Sequence, residues 1–399
     1  MKPSFLNKRL KLTNNHYGRG VTMQKYDVII IGGGINGGSI AYQLSKRNYR
    51  VAVLEKERIA SEASSAAAGM LGAQVEPRID GAFFDFARKS RDYFDQLVPE
   101  IEQVSDQPVE FLKNGMLRIA FSEEEANMLK ERIAWQQEQG EPAEWLSADQ
   151  VYQMEPELKA EIVGAASFPK DGQVMPAQLT KAFFKGASNL GADIYEFTWV
   201  KGLLGKNGVI TGVETTSGRF YAEHIVIAAG AFTPHLSLPD GASLPTLTPV
   251  KGEILAVRPE KPIITSTIYS PTVYIVPKAN GEIFIGATER EGIYDKKVSF
   301  ESIRRLSAEA CRIVPALRSA EWSRAWAGVR PQTIDGLPYL GPHPDFKGLW
   351  LAAGHFRNGI LLSALTGVWM ADQIEGKADH LEWKDAFDPG RHSQKGVIP

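Results

Sequence analysis

An α/β fold in two domains is predicted for this chain by three observations. A strand, a glycine turn, a helix and a second strand follow one another between Tyr26 and Lys56. Apolar strands that end in glycine recur around Ile225–Gly230 and Leu349–Gly359. Between Pro245 and Pro315 the pattern changes to alternating strands separated by turn residues. The first implies a parallel sheet with a helix against it, the second that distant stretches return to that sheet, and the third a separate antiparallel sheet.

The opening unit carries the most specific pattern. Asp27–Ile31 is an apolar, β-branched run suited to a buried parallel strand. It enters Gly32–Gly37 (GGGING), where Gly32 allows the tight turn, Gly34 lets the backbone approach a pyrophosphate, and Gly37 lets helix and strand pack closely. Ile40, Ala41 and Leu44 recur at helical spacing, and the N-terminus of that helix offers unpaired N–H groups to an anion. The next strand ends at Glu55, roughly 20 residues beyond the turn, where a carboxylate meets ribose hydroxyls. This predicts a dinucleotide, FAD or NAD, and argues against the 2′-phosphate of NADP.

Bulk properties narrow the class. Of 399 residues 43% are hydrophobic and 23% charged, and the formal charge of −2 offers no electrostatic case for nucleic acid. The single cysteine, Cys311, excludes an internal disulfide framework and a multi-cysteine metal site, and a reducing cytoplasm fits it. No apolar run is long enough to span a bilayer, so no membrane role is expected. Met1–Thr22 is basic, contains no acidic residue and lacks the apolar centre of a signal peptide. It is expected to be a disordered or non-native extension, with either a genuine basic tail or a natural start at Met23.

The remaining elements follow in order. Ile59–Gly72 is crowded with small side chains, and Ser64 and Ser65 can donate to phosphate or ribityl oxygens, unless the run is simply a tightly packed helix start. Phe83–Val104 has a broad apolar helical stripe, Gly115–Phe121 alternates like a strand, and Ser122–Glu125 reads as a capping box. Ser147–Gln150 starts a short helix, Ile162–Phe168 is a strand, and Pro176–Leu190 is an amphipathic helix closed by Gly191. Ala192–Val200 reads as one strand, followed by hairpins turning at Asn207-Gly208 and Ser217-Gly218. The strand at His224–Ala231 can lay its backbone beside the nucleotide, which favours FAD over a simple NAD domain. Lys251–Val257, Thr272–Val276 and Glu282–Gly286 read as antiparallel strands, and Cys311 as a small hydrophobe on a helix over Ser299–Ile313. Finally, the apolar helix from Ile360 points a positive dipole end at whatever binds near Leu349–Gly359, which suits the pyrimidine side of a flavin.

Eight motifs together resemble the glycine oxidase branch of the D-amino acid oxidase and sarcosine oxidase superfamily. They are Gly32–Gly37, Ser64–Gly72 (SSAAAGMLG), Val250–Glu253, Tyr274–Pro277, Gly286–Thr288, Ala327–Pro331 (AGVRP), Asp335–Pro338 and Ala353–Leu362 (AGHFRNGILL). The resemblance covers Tyr26 to Phe387. It implies a discontinuous FAD-binding Rossmann-like domain of the glutathione-reductase type (residues 23–75, 165–244 and 325–388). An α+β substrate domain with a large antiparallel sheet takes residues 76–164 and 245–324, and residues 389–399 form a tail.

The resemblance also implies site residues. Noncovalent FAD would be held by Gly32, Gly34, Ile35, Asn36, Gly37, Glu55, Ser64, Ser65, Val200 and Gly230. Ala68, Gly69 and Met70 would line the flavin, and His355, Arg357, Asn358, Gly359 and Ile360 would cover its other edge. Arg330 and Tyr274 would grip the substrate carboxylate, with Arg357 nearby, and Met70 and Gly72 would keep the pocket small. Thr272 and Glu289 fall where members of this branch vary. Glu289 is either a rim group that attracts the substrate ammonium or a solvated strand end. No metal is expected, and His355 is assigned a structural or flavin-contact role.

The implied reaction is oxidation of glycine, sarcosine or small D-amino acids by hydride transfer to flavin N5. Dioxygen would take the electrons, giving the 2-oxo acid, ammonia and hydrogen peroxide. The implied setting is thiamine biosynthesis in a cytoplasmic homotetramer. A sarcosine or D-amino acid oxidase, a flavin dehydrogenase with another electron carrier, and a silent FAD-binding module are the competing readings.

Overall fold

The computed structural model describes residues 25–77 and 79–392. The expectation for Met1–Thr22, and that for the tail beyond residue 392, lie outside them. Two large sheets organise the chain, one of eight strands and one of nine.

The eight-stranded sheet is centred on Lys25–Ile31, which pairs in parallel with Val51–Leu54 on one side and with Gly218–Ile227 on the other. Val28, Ile29 and Ile30 are fully buried, because a central parallel strand is covered on both faces. The strand Gly218–Ile227 divides its free edge: its first half pairs with Val209–Thr215, and its second half with Leu349–Ala353. Two distant stretches thus return to the first sheet. The helix Gly359–Ile374 then packs on Ile35–Lys46 so closely that a Cβ on Gly367 would lie 2.2 Å from Ser39 Oγ, and Ser39 Oγ donates to the Ser363 carbonyl at 2.7 Å.

Several local expectations change. Ala192–Val200 is not one strand: Asp193–Tyr195 ends early, Phe197 adopts φ +55°, and a new strand runs Val200–Lys206. The interruption turns the chain so that Val200 can start the hairpin that the Asn207-Gly208 turn closes, with both residues at positive φ. Ser122 caps its helix by accepting from Glu125 N–H, but the Glu125 carboxylate reaches the Phe121 N–H, so the reciprocal box is not closed there. It is closed at Ser147–Gln150.

In the nine-stranded sheet Thr248–Arg258 pairs antiparallel with Glu321–Gln332 on one side and with Ile283–Gly286 on the other. Tyr274–Pro277 follows beside Ile283–Gly286. One contact is parallel, Thr267–Tyr269 with Met116–Ala120, so the sheet is mixed at that point. Gly164–Phe168 and Glu321–Gln332 both belong to this second sheet, although the boundaries expected at residues 165 and 325 group most of their length with the first.

Candidate active site

One cavity of about 1270 Å³ runs from the Gly32 turn to the second sheet. Its nucleotide end is built from backbone. Gly32 has φ +120°, and a Cβ there would lie 2.4 Å from the Ala228 carbonyl oxygen, so only glycine fits this turn. A Cβ on Gly37 would lie 2.2 Å from the Gly32 carbonyl oxygen; Gly37 therefore acts by letting the helix approach the strand rather than by lining the cavity. Glu55 is buried and accepts from Gly33 N–H at 2.6 Å and from Glu57 N–H at 2.8 Å. Burial pushes its carboxyl above the ordinary value, and the two N–H donors pull it back.

Ser64 Oγ accepts from Ile35 N–H at 2.9 Å, which ties the small-residue loop to the helix N-terminus. Ser65 turns the other way: its hydroxyl donates to the Ala60 carbonyl, and the residue does not line the cavity. Ile35, Asn36, Ala68, Gly69, Met70, Val200, Gly230, His355, Asn358, Gly359 and Ile360 all line it. Asn36 Oδ1 is buried without a hydrogen-bond partner. Together with the bare glycine turn and the Glu55 carboxylate, it gives a long polar cradle that fits a dinucleotide.

The other end is made by side chains of the second sheet. Arg330, near the end of Glu321–Gln332, donates from Nη1 to the Thr288 carbonyl at 3.2 Å. Gly252 makes room for it, since a Cβ there would lie 2.4 Å from Arg330 Nη2. Tyr274 uses the space above Gly286, where a Cβ would lie 2.5 Å from the phenol oxygen. Burial pushes the Tyr274 phenol up, with Arg330 and Arg357 opposing, and the group is a protonated donor at neutral pH. Met70 and Gly72 line the same region; a Cβ on Gly72 would lie 2.5 Å from Val75 Cγ1, so the wall is tight there.

Arg357 differs from Arg330. Its guanidinium donates to Glu289, to Glu76 Oε1 at 3.2 Å, and to the Tyr269 hydroxyl. The Glu76 carboxylate raises its proton affinity further, against the effect of burial. Among the described residues Arg330 has no carboxylate partner, whereas Arg357 has two. Glu289 lines the cavity with its side chain 48% exposed, paired to Arg357. Thr272 also lines the cavity and donates to Glu309 Oε2 at 3.1 Å.

His355 is buried, with Nε2 3.2 Å from Thr366 Oγ1, and burial depresses its pKa to about 3. The imidazole is therefore neutral at working pH and holds the turn before Gly359–Ile374 in place. Sequence reasoning missed Glu76 and Tyr269, which anchor Arg357, and the roles of Gly252 and Gly286, which make room for Arg330 and Tyr274. Those two glycines were visible inside recognised motifs, but their purpose lies in a neighbouring strand.

A family model described as "FAD dependent oxidoreductase" (DAO) matches residues 27–373. A glycine oxidase of Geobacillus kaustophilus (strain HTA426) is 42% identical over 355 residues, covering 88% of this chain and 94% of that protein. The crystal structure of glycine oxidase from Geobacillus kaustophilus superposes with a TM-score of 0.88 at 40% identity, covering 94% of this chain and all of the other. The bifunctional protein ThiO/ThiG of Trichormus variabilis (strain ATCC 29413 / PCC 7937) is 35% identical, over 89% of this chain and 54% of that longer protein.

Proposed function

The chain belongs to the DAO family of FAD-dependent oxidoreductases, and on that premise we propose that it oxidatively deaminates glycine and other small amines. Sarcosine and small D-amino acids fall in the same class; with dioxygen and water consumed, the products are the 2-oxo acid, hydrogen peroxide and the released amine, which is ammonia from glycine and D-amino acids and methylamine from sarcosine. The observation that carries the reading is the contrast at the substrate end: Arg330 stands beside Tyr274 without a carboxylate partner, while Arg357 is already neutralised. An anionic group of a small substrate therefore has one favoured seat.

FAD, when bound, supplies the two-electron acceptor, from which dioxygen draws the electrons as peroxide. The protein's own part is to bind and orient. Arg330 offers a planar fork to the carboxylate, and the Tyr274 hydroxyl adds a donor from the side. With the carboxylate held at two points, the α-carbon is aimed along the cavity toward its cofactor end, and proximity contributes most of the rate. His355, neutral and bonded to Thr366, is not called on as a base if the amine enters unprotonated. Met70 and Gly72 keep the seat small.

Oxygen uptake and peroxide release with glycine, sarcosine and D-alanine test the proposal. Turnover of at least one with stoichiometric peroxide is expected. Flavin bleaching and dye reduction without peroxide would instead favour a dehydrogenase, and no bleaching with any amine would leave a silent module. The ThiO/ThiG relative supports a role in thiamine biosynthesis, which growth of a thiamine-requiring strain complemented with this chain checks. We further read the protein as a cytoplasmic homotetramer by kinship, with light scattering of the purified protein as the measure of its assembly.

A further inference from the structure

The reaction as described makes no use of Lys278, a lysine only 6% exposed in the wall behind the cavity. It follows the Tyr274–Pro277 strand. Its ammonium donates to the Ala68 carbonyl, to Gln173 Oε1 at 2.7 Å and to the Val174 carbonyl at 3.2 Å. An ammonium has three protons, so all are engaged, each on a neutral acceptor. The Phe284 ring lies 5.1 Å away, and Glu110 is the charged group that acts on it through space.

Its partners are tied to one another. Gln173 Nε2 donates back to the Pro277 carbonyl at 2.6 Å, and Gln173 pairs with Met70 across a short ladder. Val174 N–H donates to the Gly69 carbonyl at 2.8 Å, and a Cβ on Gly69 would lie 2.1 Å from the Val174 oxygen. One side chain thus joins the second sheet, the Gly172–Val174 strand and the Ala68–Met70 strap that lines the cavity. A buried cation without a carboxylate partner is costly, and a neutral amide could make part of such a tie more cheaply. Burial brings its pKa down to about 7.

We propose that Lys278 is a positioning residue for FAD: it holds the Ala68–Met70 strap against the second sheet, and its positive charge favours the electron-rich reduced cofactor. This rests on family membership and not on the choice of glycine as substrate. Lys278→Met in the FAD-loaded full chain keeps the apolar stem and removes the charge and donors. Far-UV circular dichroism checks folding. At about pH 6, where Lys278 keeps its proton, the flavin midpoint potential is expected to become more negative, and FAD to dissociate about tenfold more readily, as for loss of charge-assisted hydrogen bonds. A folded variant with wild-type potential and FAD affinity would overturn the proposal. Should that variant fail to fold, Lys278→Gln and Lys278→Arg make the same comparison. A shifted potential in the glutamine variant with recovery in the arginine variant supports it, and equal potentials in both overturn it.

Discussion

The two ends of the cavity are built by opposite means. At the nucleotide end, one contiguous stretch supplies turn, helix N-terminus and carboxylate, and backbone geometry does the work: Gly32 at φ +120°, Gly37 against the Gly32 carbonyl, Glu55 held by Gly33 and Glu57 N–H groups. At the substrate end, side chains from separate strands and loops converge, and Arg330 and Tyr274 each need a gap left by a glycine on a neighbouring strand. A backbone site tolerates change in side chains but not in the turn, whereas a side-chain site loses function one group at a time.

Substitutions at the two ends should therefore fail differently. Gly32→Ala is expected to have the largest effect. The left-handed backbone alone costs about 1–3 kcal/mol, and the contact with the Ala228 carbonyl adds to it. The purified protein should be colourless, with FAD bound at least about a hundredfold more weakly; flavin absorbance after purification measures this, and a yellow protein would break the contrast.

Arg330→Ala should do the reverse, keeping FAD and losing turnover. Removing one partner of a desolvated charge pair costs about 2–5 kcal/mol, so kcat/KM for glycine should fall by about thirtyfold or more. Full activity would refute Arg330 as the carboxylate seat.

Glu289→Ala is a smaller test of the same end. The residue is about half exposed and its pair with Arg357 is screened, so a change of no more than about threefold in KM is expected. A drop in KM would show that the freed Arg357 attracts the substrate carboxylate, and an increase that Glu289 attracts the ammonium. Unchanged kinetics would mark it as a solvated strand end.

The smallest effect concerns pH. His355 has a folded pKa of about 3, below its unfolded value, so the folded imidazole stays neutral where the unfolded one takes up a proton. Its effect on stability is absent above about pH 6.5 and grows unfavourable as pH falls from there toward 3. The melting temperature of the Thr366→Val protein, in which the imidazole loses its partner, should show the same acid slope as wild type, since burial and not that bond sets the shift. A shallower slope would assign the effect to the hydrogen bond.

How much of this was legible depended on how local the physics is. The Lys25–Ile31 strand, the Gly32 turn, the hairpin at Asn207-Gly208 and the helix start at Ser147 are short-range matters of φ, hydrogen bonding and apolar run length, and all are readable in order. The Ala192–Val200 stretch was not, because its alternation resembles a strand while the tertiary path turns at Phe197. Ser64 and Ser65 part for a related reason: adjacent hydroxyls on a short helix point in different directions, and only Ser64 turns to the Ile35 N–H.

The sequence by itself determined the class of fold and the dinucleotide turn with its acid, and motif resemblance pointed to Arg330 and Tyr274 as the substrate grip proposed above. Tertiary structure decided which arginine is open and which is neutralised, because Glu76, Tyr269 and Glu289 reach Arg357 from far-separated parts of the chain. It also decided that Lys278 lies buried behind the cofactor wall. Charge pairing and burial depend on distances between residues that the chain order leaves unstated, whereas a glycine turn carries its own geometry.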